Sequence, residues 1–175
     1  MTHININQTA WDVVYQHLLP KQAAKEEAAF LFGHYQPTSR NIEVTAYQLL
    51  SNRDFSSQEL DYLELDETVR PALIKRAHDL SACLIEMHSH PGNLPAAFSN
   101  FDFIGLRETV PHMQWRLRDQ PYAALVVADE SFDALIWTQD ISNPSCIAAI
   151  NAGARALLPT NLSIRKWNDR NSTSI

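Results

Sequence analysis

The sequence has too few cysteines to build a disulfide framework. Its 175 residues include two, Cys83 and Cys146, and both lie in apolar runs. A small domain held together by disulfides is therefore excluded. We interpret both side chains as buried free thiols in a reducing compartment.

Long apolar runs and a secretory leader are also missing. No run approaches the roughly 20 apolar residues that a membrane-spanning helix needs. Charged residues interrupt the first thirty positions, and no basic segment precedes an apolar one as in a signal peptide. These absences predict a cytoplasmic protein with no membrane partner.

Positive charge is not in excess either. The formal net charge is −6, which argues against nucleic acid as a partner and is compatible with a basic protein partner. No repeat, linker or low-complexity block divides the chain, which is long enough to bury a core by itself. We therefore predict one domain over residues 1–164, followed by a polar, frayed tail over residues 165–175.

Hydrophobic periodicity in the first third of the chain predicts a helix followed by two strands. Residues 9–19 form an amphipathic pattern that Thr9 could cap, and a second helical turn could follow at 23–28. The apolar run 28–33 predicts a buried strand, and the alternating run 41–47 predicts a second strand antiparallel to it.

The remaining pattern predicts a mixture of helices and strands. The expected elements are a polar loop at 51–57, a short strand at 62–65, a helix at 66–80, a strand at 84–90, a helix at 100–118 broken or kinked by Pro111, a hairpin of 123–128 with 132–138, and a segment at 146–158 that could be strand or helix. This order predicts an α+β fold, a largely antiparallel β-sheet flanked by helices. Three tryptophans, Trp11, Trp115 and Trp137, are assigned to the core.

Two histidines one residue apart, His88 and His90, end the strand predicted at 84–90. Side chains alternate along a strand, so both histidines point to the same side. The loop after them contains glycine and proline, which allows the chain to reverse and bring back the carboxylate of Asp102. Two imidazoles and a carboxylate are a ligand set of catalytic zinc, which keeps its fourth position open. Glu86 shares this strand face and could orient a histidine or be a solvated strand residue.

Each part of this pattern also has an ordinary explanation. Paired histidines near a loop occur by chance in surface or packing roles. A serine three residues before an acid, as in Ser99 and Asp102, is a capping box at a helix start, and a cap can also hold a ligand rigidly. Glu26, just before the predicted strand at 28–33, could accept a proton from water or be a helix-terminal surface residue.

The combined pattern resembles the JAMM (MPN+) family of zinc metalloproteases. The resemblance is carried by Glu26-Glu27-Ala28-Ala29-Phe30-Leu31-Phe32-Gly33, His88-Ser89-His90-Pro91 and Ser99-Asn100-Phe101-Asp102, and it covers roughly residues 26–138. It implies an MPN/JAB-like fold, similar to cytidine deaminases. It also implies an isopeptidase or peptidase of ubiquitin-like modifiers, with E1/E2-like proteins of the same operon as further partners. Small bacterial members accompany E1-like enzymes in conjugation operons, including antiphage ones.

Carried over position by position, the resemblance assigns roles to five side chains. His88, His90 and Asp102 look like the ligands of Zn²⁺. Glu26 looks like the general base, and Ser99 looks like a hydroxyl that stabilises the oxyanion.

The chain departs from the family pattern at two places. Eight residues, 91–98, separate the second histidine from Ser99 where the family usually has seven, and Ala29 stands where the family favours glycine. Neither change removes a catalytic group, so we expect an active enzyme. The alternatives are a JAMM peptidase acting on a sulfur-carrier protein adduct, a non-catalytic MPN interaction module and a DNA-repair relative, the last disfavoured by the negative charge. The irregular segment 51–65 could offer a strand edge to an extended substrate chain.

Overall fold

The computed structural model describes residues 1–60, 62–118, 120–138 and 140–172. The strands are β1 (Thr2–Ile6), β2 (Ala28–Gln36), β3 (Asn41–Leu49), β4 (Phe55–Gln58), β5 (Leu63–Leu65), β6 (Cys83–Ser89), β7 (Tyr122–Ala128), β8 (Ser131–Trp137), β9 (Ile147–Ala152) and β10 (Arg155–Leu157). The helices are α1 (Gln8–Leu18), α2 (Val69–Asp79), α3 (Asn100–Arg116) and α4 (Leu162–Ser172).

Eight of these strands form one mixed sheet in the order β10-β9-β1-β3-β2-β6-β7-β8. Four junctions are antiparallel, namely β10 with β9, β3 with β2, β2 with β6, and β7 with β8. The other three junctions are parallel. Strands β4 and β5 form a separate antiparallel pair, called here the β4–β5 hairpin. The prediction of an α+β fold with a mostly antiparallel sheet and flanking helices is confirmed.

The sheet is buried on both faces. One face packs against α1 through Trp11, Val14 and Leu18. The other face carries a larger cluster that includes residues of α2, α3 and α4. The centre of the sheet, β2, β6 and β7, is therefore apolar on both sides, which is typical of strands covered by helices on each face.

Three early predictions need correction. Helix α1 is capped by Asn7 and not by Thr9, because Asn7 Oδ1 accepts the N–H groups of Thr9 at 2.9 Å and Ala10 at 3.4 Å. The helical turn expected at 23–28 is wrong, since residues 20–27 contain no helix and lead directly into β2. The loop expected at 51–57 contains the short 3₁₀ helix Asn52–Asp54 and most of β4.

Pro111 does not interrupt α3, which continues from Asn100 to Arg116. The ring lies on the exposed side, and the buried side of the helix is held by Phe103, Leu106 and Val110. Packing along that side offsets the hydrogen bond that proline cannot donate. The ambiguous segment at 146–158 is two strands, β9 and β10, and β9 pairs with β1, a strand that the sequence analysis did not predict.

The frayed tail predicted from residue 165 is wrong for the described residues, because they belong to α4. Trp167 is 3% exposed and stacks edge-to-face on Phe103 and Trp137, with ring centroids 5.7 Å apart in both pairs. Residues 173–175 lie outside the described residues. Trp115, expected in the core, is 73% exposed.

Two remaining expectations concern thiols and membranes. Cys83 is buried as predicted, whereas Cys146 is only half-buried, so the expectation for its thiol is wrong. Within the described ranges, no helix combines the length and apolar character that crossing a bilayer requires.

Candidate metal centre and adjoining cavity

His88 lies at the end of β6, and His90 follows one residue after the strand. The backbone of His88 pairs with Ala28 on one side and with Val126 on the other, and His90 N–H donates to Val127 O at 2.8 Å. Both imidazoles therefore project from a fully paired part of the sheet. Their Nε2 atoms are 3.1 Å apart.

Ser89, between the two histidines, points to the opposite side and is fully buried. Its Oγ accepts the N–H of Glu27 at 3.0 Å, and its own N–H donates to Glu27 O, also at 3.0 Å. These two bonds align the segment that carries Glu26 with the end of β6. This role of Ser89 could not be predicted from the sequence, because a serine within an apolar strand gives no indication of its partner.

Asp102 reaches the histidines from the first turn of α3. Ser99 caps this helix, since its Oγ accepts Asp102 N–H at 3.1 Å and its own N–H donates to Asp102 Oδ2 at 2.6 Å. The same carboxylate places Oδ1 3.4 Å from His88 Nε2 and Oδ2 3.3 Å from His90 Nε2. The capping box and the convergence on the histidines therefore coexist in one side chain.

The loop 91–98, one residue longer than the family pattern, is anchored to other elements. Ala96 N–H donates to Ser131 Oγ at 2.9 Å, and Phe98 N–H donates to Ser163 Oγ at 2.9 Å. Phe98 also lies against the His88 ring, with centroids 5.7 Å apart. These contacts fix the loop between His90 and Ser99 against β8, α4 and the His88 ring.

Glu26 is not the exposed helix-terminal residue that one interpretation allowed. It is 5% exposed, and its Oε1 lies 3.5 Å from His90 Nε2. Its N–H donates to Glu59 O at 2.8 Å and its carbonyl accepts Gln58 Nε2 at 2.7 Å. Both polar groups of its backbone are therefore held by the β4–β5 hairpin and the residue after β4.

The charges of the centre perturb two of its side chains. Burial by itself would lower the pKa of His88, but the charges of Asp102, Glu26 and Glu86 and the hydrogen bond to Asp102 together outweigh it, and the pKa is raised. Burial would likewise raise the pKa of Asp102, but the two histidines hold it well below its usual range. In the metal-free protein, the carboxylate is therefore ionised beside an imidazole that readily takes a proton.

The donor set fits a small divalent ion. One donor atom from each of His88, His90 and Asp102 can be chosen so that all three lie within 4.8 Å of one another. Zinc bonds of 2.0–2.1 Å in a tetrahedral arrangement require ligand atoms about 3.3–3.4 Å apart. The two imidazole nitrogens are 3.1 Å apart, close to this spacing, and Asp102 presents one oxygen to each of them, Oδ1 at 3.4 Å from His88 and Oδ2 at 3.3 Å from His90. Two imidazole nitrogens facing each other so closely also need a shared proton or cation between them.

A cavity of about 390 Å³ adjoins the centre. Its walls come from β5 on one side and from the first turns of α3 on the other, and His88 and Glu86 of β6 line it between them. Its volume falls within the range of ligand pockets in proteins, about 300–1,000 Å³. The centre is therefore open to a ligand along a channel between the β4–β5 hairpin and α3.

Glu86 lines this cavity but is held by groups other than the histidines. It accepts a hydrogen bond from the hydroxyl of Tyr122, which is fully buried, and its Oε2 lies 3.9 Å from Arg70 Nη1. Its effect on His88 is electrostatic, since its charge helps to raise that pKa. The hydrogen bonds described for its side chain thus do not support orientation of a histidine.

Comparisons with known proteins leave the family open. No protein-family model and no curated sequence matches the chain. Among solved structures, the chain is similar to a protein from Salinibacter ruber known from a solution structure, at 21% sequence identity. That match covers 91% of this chain and 96% of the other, with a TM-score of 0.47.

Proposed function

We propose that this protein is a zinc-dependent isopeptidase or peptidase of the JAMM type, with an MPN/JAB-like fold, that removes or matures a ubiquitin-like modifier in the cytoplasm. The observation that carries the proposal is the convergence of Glu26 on the His88, His90 and Asp102 cluster at one end of an open cavity. E1-like and E2-like proteins are proposed as further partners.

His88, His90 and Asp102 would hold the metal ion. A Zn²⁺ ion bound there polarises a carbonyl group and lowers the pKa of water to about 7. The protein supplies rigid ligands for it, since β6 is paired on both sides and Asp102 is fixed by its capping box with Ser99.

Glu26 would act as the proton carrier. Its carboxylate takes one proton from a water molecule as the water oxygen bonds to the substrate carbonyl carbon. It then delivers this proton to the amine nitrogen as the C–N bond breaks, which leaves a free amine and a carboxylic acid that loses the second water proton to solvent. Its side chain is held near His90, which suits a group that must reach both water and the leaving amine.

Ser99 would contribute through its hydroxyl. Its Oγ accepts the N–H of Asp102, so its hydroxyl proton is available to a developing negative charge on the carbonyl oxygen. Ser99 thus has two roles in the proposal, as a helix cap and as a hydrogen-bond donor to the substrate.

The substrate chain would lie in the cavity beside β5. In the described sheets, β5 pairs with β4 along one edge, and an extended chain can add to the other edge through main-chain hydrogen bonds. Glu64, Glu86 and Glu108 line the cavity with a single arginine, Arg70, so it favours a neutral or basic segment over an acidic one.

The test uses the full chain loaded with Zn²⁺ and incubated with ubiquitin-like fusions encoded near its gene. One set carries a linear peptide extension after the modifier, and a second carries a lysine isopeptide bond. We expect cleavage directly after the modifier tail, loss of cleavage with a chelator, and recovery on adding Zn²⁺. A purified protein that binds no Zn²⁺ and cleaves neither set would support the non-catalytic module instead.

A further inference from the structure

The side chain of Gln58 uses its whole amide to hold three consecutive residues. Its Nε2 donates to Glu26 O at 2.7 Å and to Glu27 Oε2 at 2.9 Å. Its Oε1 accepts Lys25 Nζ at 2.7 Å. One side chain on the last position of β4 therefore fixes the backbone and both charged neighbours of the proposed base.

The segment 25–27 is held from two sides. Toward the hairpin, Glu26 N–H donates to Glu59 O at 2.8 Å and Lys25 Nζ also donates to Asn52 Oδ1 at 2.7 Å. Toward β6, Ser89 binds both backbone groups of Glu27. The hydrogen bonds of Ser89 align the segment with the end of β6 through Glu27. The backbone of Glu26 itself is held by Gln58 and Glu59.

The hairpin that holds Glu26 is also a wall of the cavity. Gln58 pairs with Leu63 in the β4–β5 register, and Leu63 lines the cavity together with the rest of β5. Glu26 lines the same cavity, so a chain bound against β5 would lie beside both the hairpin and the carboxylate that the hairpin supports.

We propose that Gln58 is a positioning residue that fixes the Glu26 carboxylate for proton transfer and connects it to the cavity wall formed by β5. This inference rests on the proposed function of Glu26. Gln58 itself touches neither the metal-ligand side chains nor the reacting atoms in this arrangement, and it acts through the residue that it holds.

The first test compares Gln58→Met with Ser56→Ala. Methionine keeps the length of the side chain and removes the amide, while Ser56 lies exposed on the same hairpin and bonds only to Glu64 O among the described contacts. We expect Gln58→Met to lower kcat by about 10–100-fold, because small displacements of a catalytic group are costly. KM and bound Zn²⁺ should be unchanged, and Ser56→Ala should match the wild type.

A double substitution separates positioning from general damage. If Gln58 acts through Glu26, adding Gln58→Met to Glu26→Gln should lower the residual activity no further. An unchanged kcat in Gln58→Met, a loss of Zn²⁺, or a full additional loss in the double variant would overturn the proposal.

A third measurement needs no activity. In the metal-free full chain, amide hydrogen exchange at Glu26 and Glu27 should be about tenfold faster in Gln58→Met than in Ser56→Ala, because the three hydrogen bonds that hold segment 25–27 to Gln58 are lost. Equal exchange would overturn the proposal for Gln58 even if the wild type cleaves. Faster exchange in Gln58→Met, combined with no cleavage by the wild type, would support the role of Gln58 in holding segment 25–27 and would reject the peptidase function.

Discussion

At the scale of single residues, Glu26 combines deep burial with a position beside His90. Its carboxylate is 3.5 Å from His90 Nε2 and the residue is 5% exposed, so water can approach it mainly from the cavity that it lines. Buried carboxylates are expensive unless they are paired or functional. This arrangement leads to the first prediction.

Glu26→Gln should retain Zn²⁺ and lose cleavage by at least about 100-fold, since general acid–base groups contribute on the order of 10²–10⁴ in rate. His88→Ala should lose the metal itself. Zinc content and single-turnover cleavage are measured on the same preparations. Glu67→Gln, an exposed carboxylate change, is the control. Wild-type rates in Glu26→Gln would remove Glu26 from the mechanism.

The ionic contact between His88 and Asp102 makes metal affinity depend on pH. A histidine ligand must be neutral, and although burial lowers the pKa of His88, the carboxylates of Asp102, Glu26 and Glu86 together raise it above its usual value near 6.5. Protons therefore compete with Zn²⁺ already above pH 6.5. We expect affinity to fall as pH is lowered from 8 to 6, by up to about one log unit per pH unit for each titrating imidazole. The Zn²⁺ affinity can be measured at each pH by competition with a chelator. An affinity that does not change between pH 8 and 6 would contradict the raised pKa of His88.

The types of the site residues could be predicted from sequence, but their surroundings could not. The spacing of His88, His90 and Asp102 reflects local rules, namely strand alternation and a helix cap. Gln58 and Ser89 act through contacts with residues 31 or more positions away, and no local pattern encodes such partners.

At the scale of elements, the β4–β5 hairpin contributes both a cavity wall and the support of Glu26. Leu63→Asp places a charge on the wall beside Glu64, where like charges and lost apolar contact oppose binding of a chain. We expect KM for a ubiquitin-like fusion to rise about tenfold with zinc content unchanged. Leu94→Asp, an exposed change in the loop after the histidines, is the control. Unchanged turnover in Leu63→Asp would argue against this wall as the substrate edge.

Strand β2 approaches β3 very closely at Gly33, next to a register shift in their pairing. An added Cβ would lie 2.5 Å from Ile42 Cγ2 and 3.0 Å from Glu43 O, so the backbone of β3 would have to move. We expect Gly33→Ala to lower the free energy of unfolding by about 1–3 kcal/mol. In α3, a Cβ added at Gly105 has no neighbour within 4 Å, so Gly105→Ala should raise the free energy of unfolding by about 0.5–1 kcal/mol. Urea unfolding of both variants checks the pair, and equal effects would contradict the close approach.

Elements that were predicted correctly stand out locally, as in the hairpin of β7 and β8, where two apolar runs flank a polar turn. Errors occurred where tertiary packing decided the outcome. Pro111 is tolerated because the opposite side of α3 is buried, and β1 was overlooked because a five-residue strand becomes stable only between β3 and β9.

At the scale of the whole molecule, α4 completes the core beneath the metal centre. Trp167 stacks on Phe103, and Phe103 stacks on Phe98, which lies against His88. The polar sequence of α4 did not indicate that this helix packs on the core. The burial of Trp167 depends on aromatic residues of α3 and β8, which are distant in the sequence. The tail was therefore misjudged from composition.

Removing the Trp167 side chain should lower the free energy of unfolding by about 3–5 kcal/mol, since it leaves a large cavity in the core. Trp115→Ala, at a position that is 73% exposed, should change it by less than about 1 kcal/mol. Thermal or urea unfolding of the metal-free chains distinguishes the two. Similar losses for both would mean that α4 does not pack as described.

Asp133 links α4 to this centre, since its Oδ2 accepts Ser163 N–H at 2.7 Å and Ser163 Oγ holds the loop at Phe98. The position of Asp102 thus depends on α4, a helix that is synthesised after His88 and His90. In a nascent chain that still lacks α4, His88 and His90 are present, but the loop that leads to Asp102 is not yet held by Ser163. We therefore expect the proposed zinc site to form only after α4 has folded onto the core.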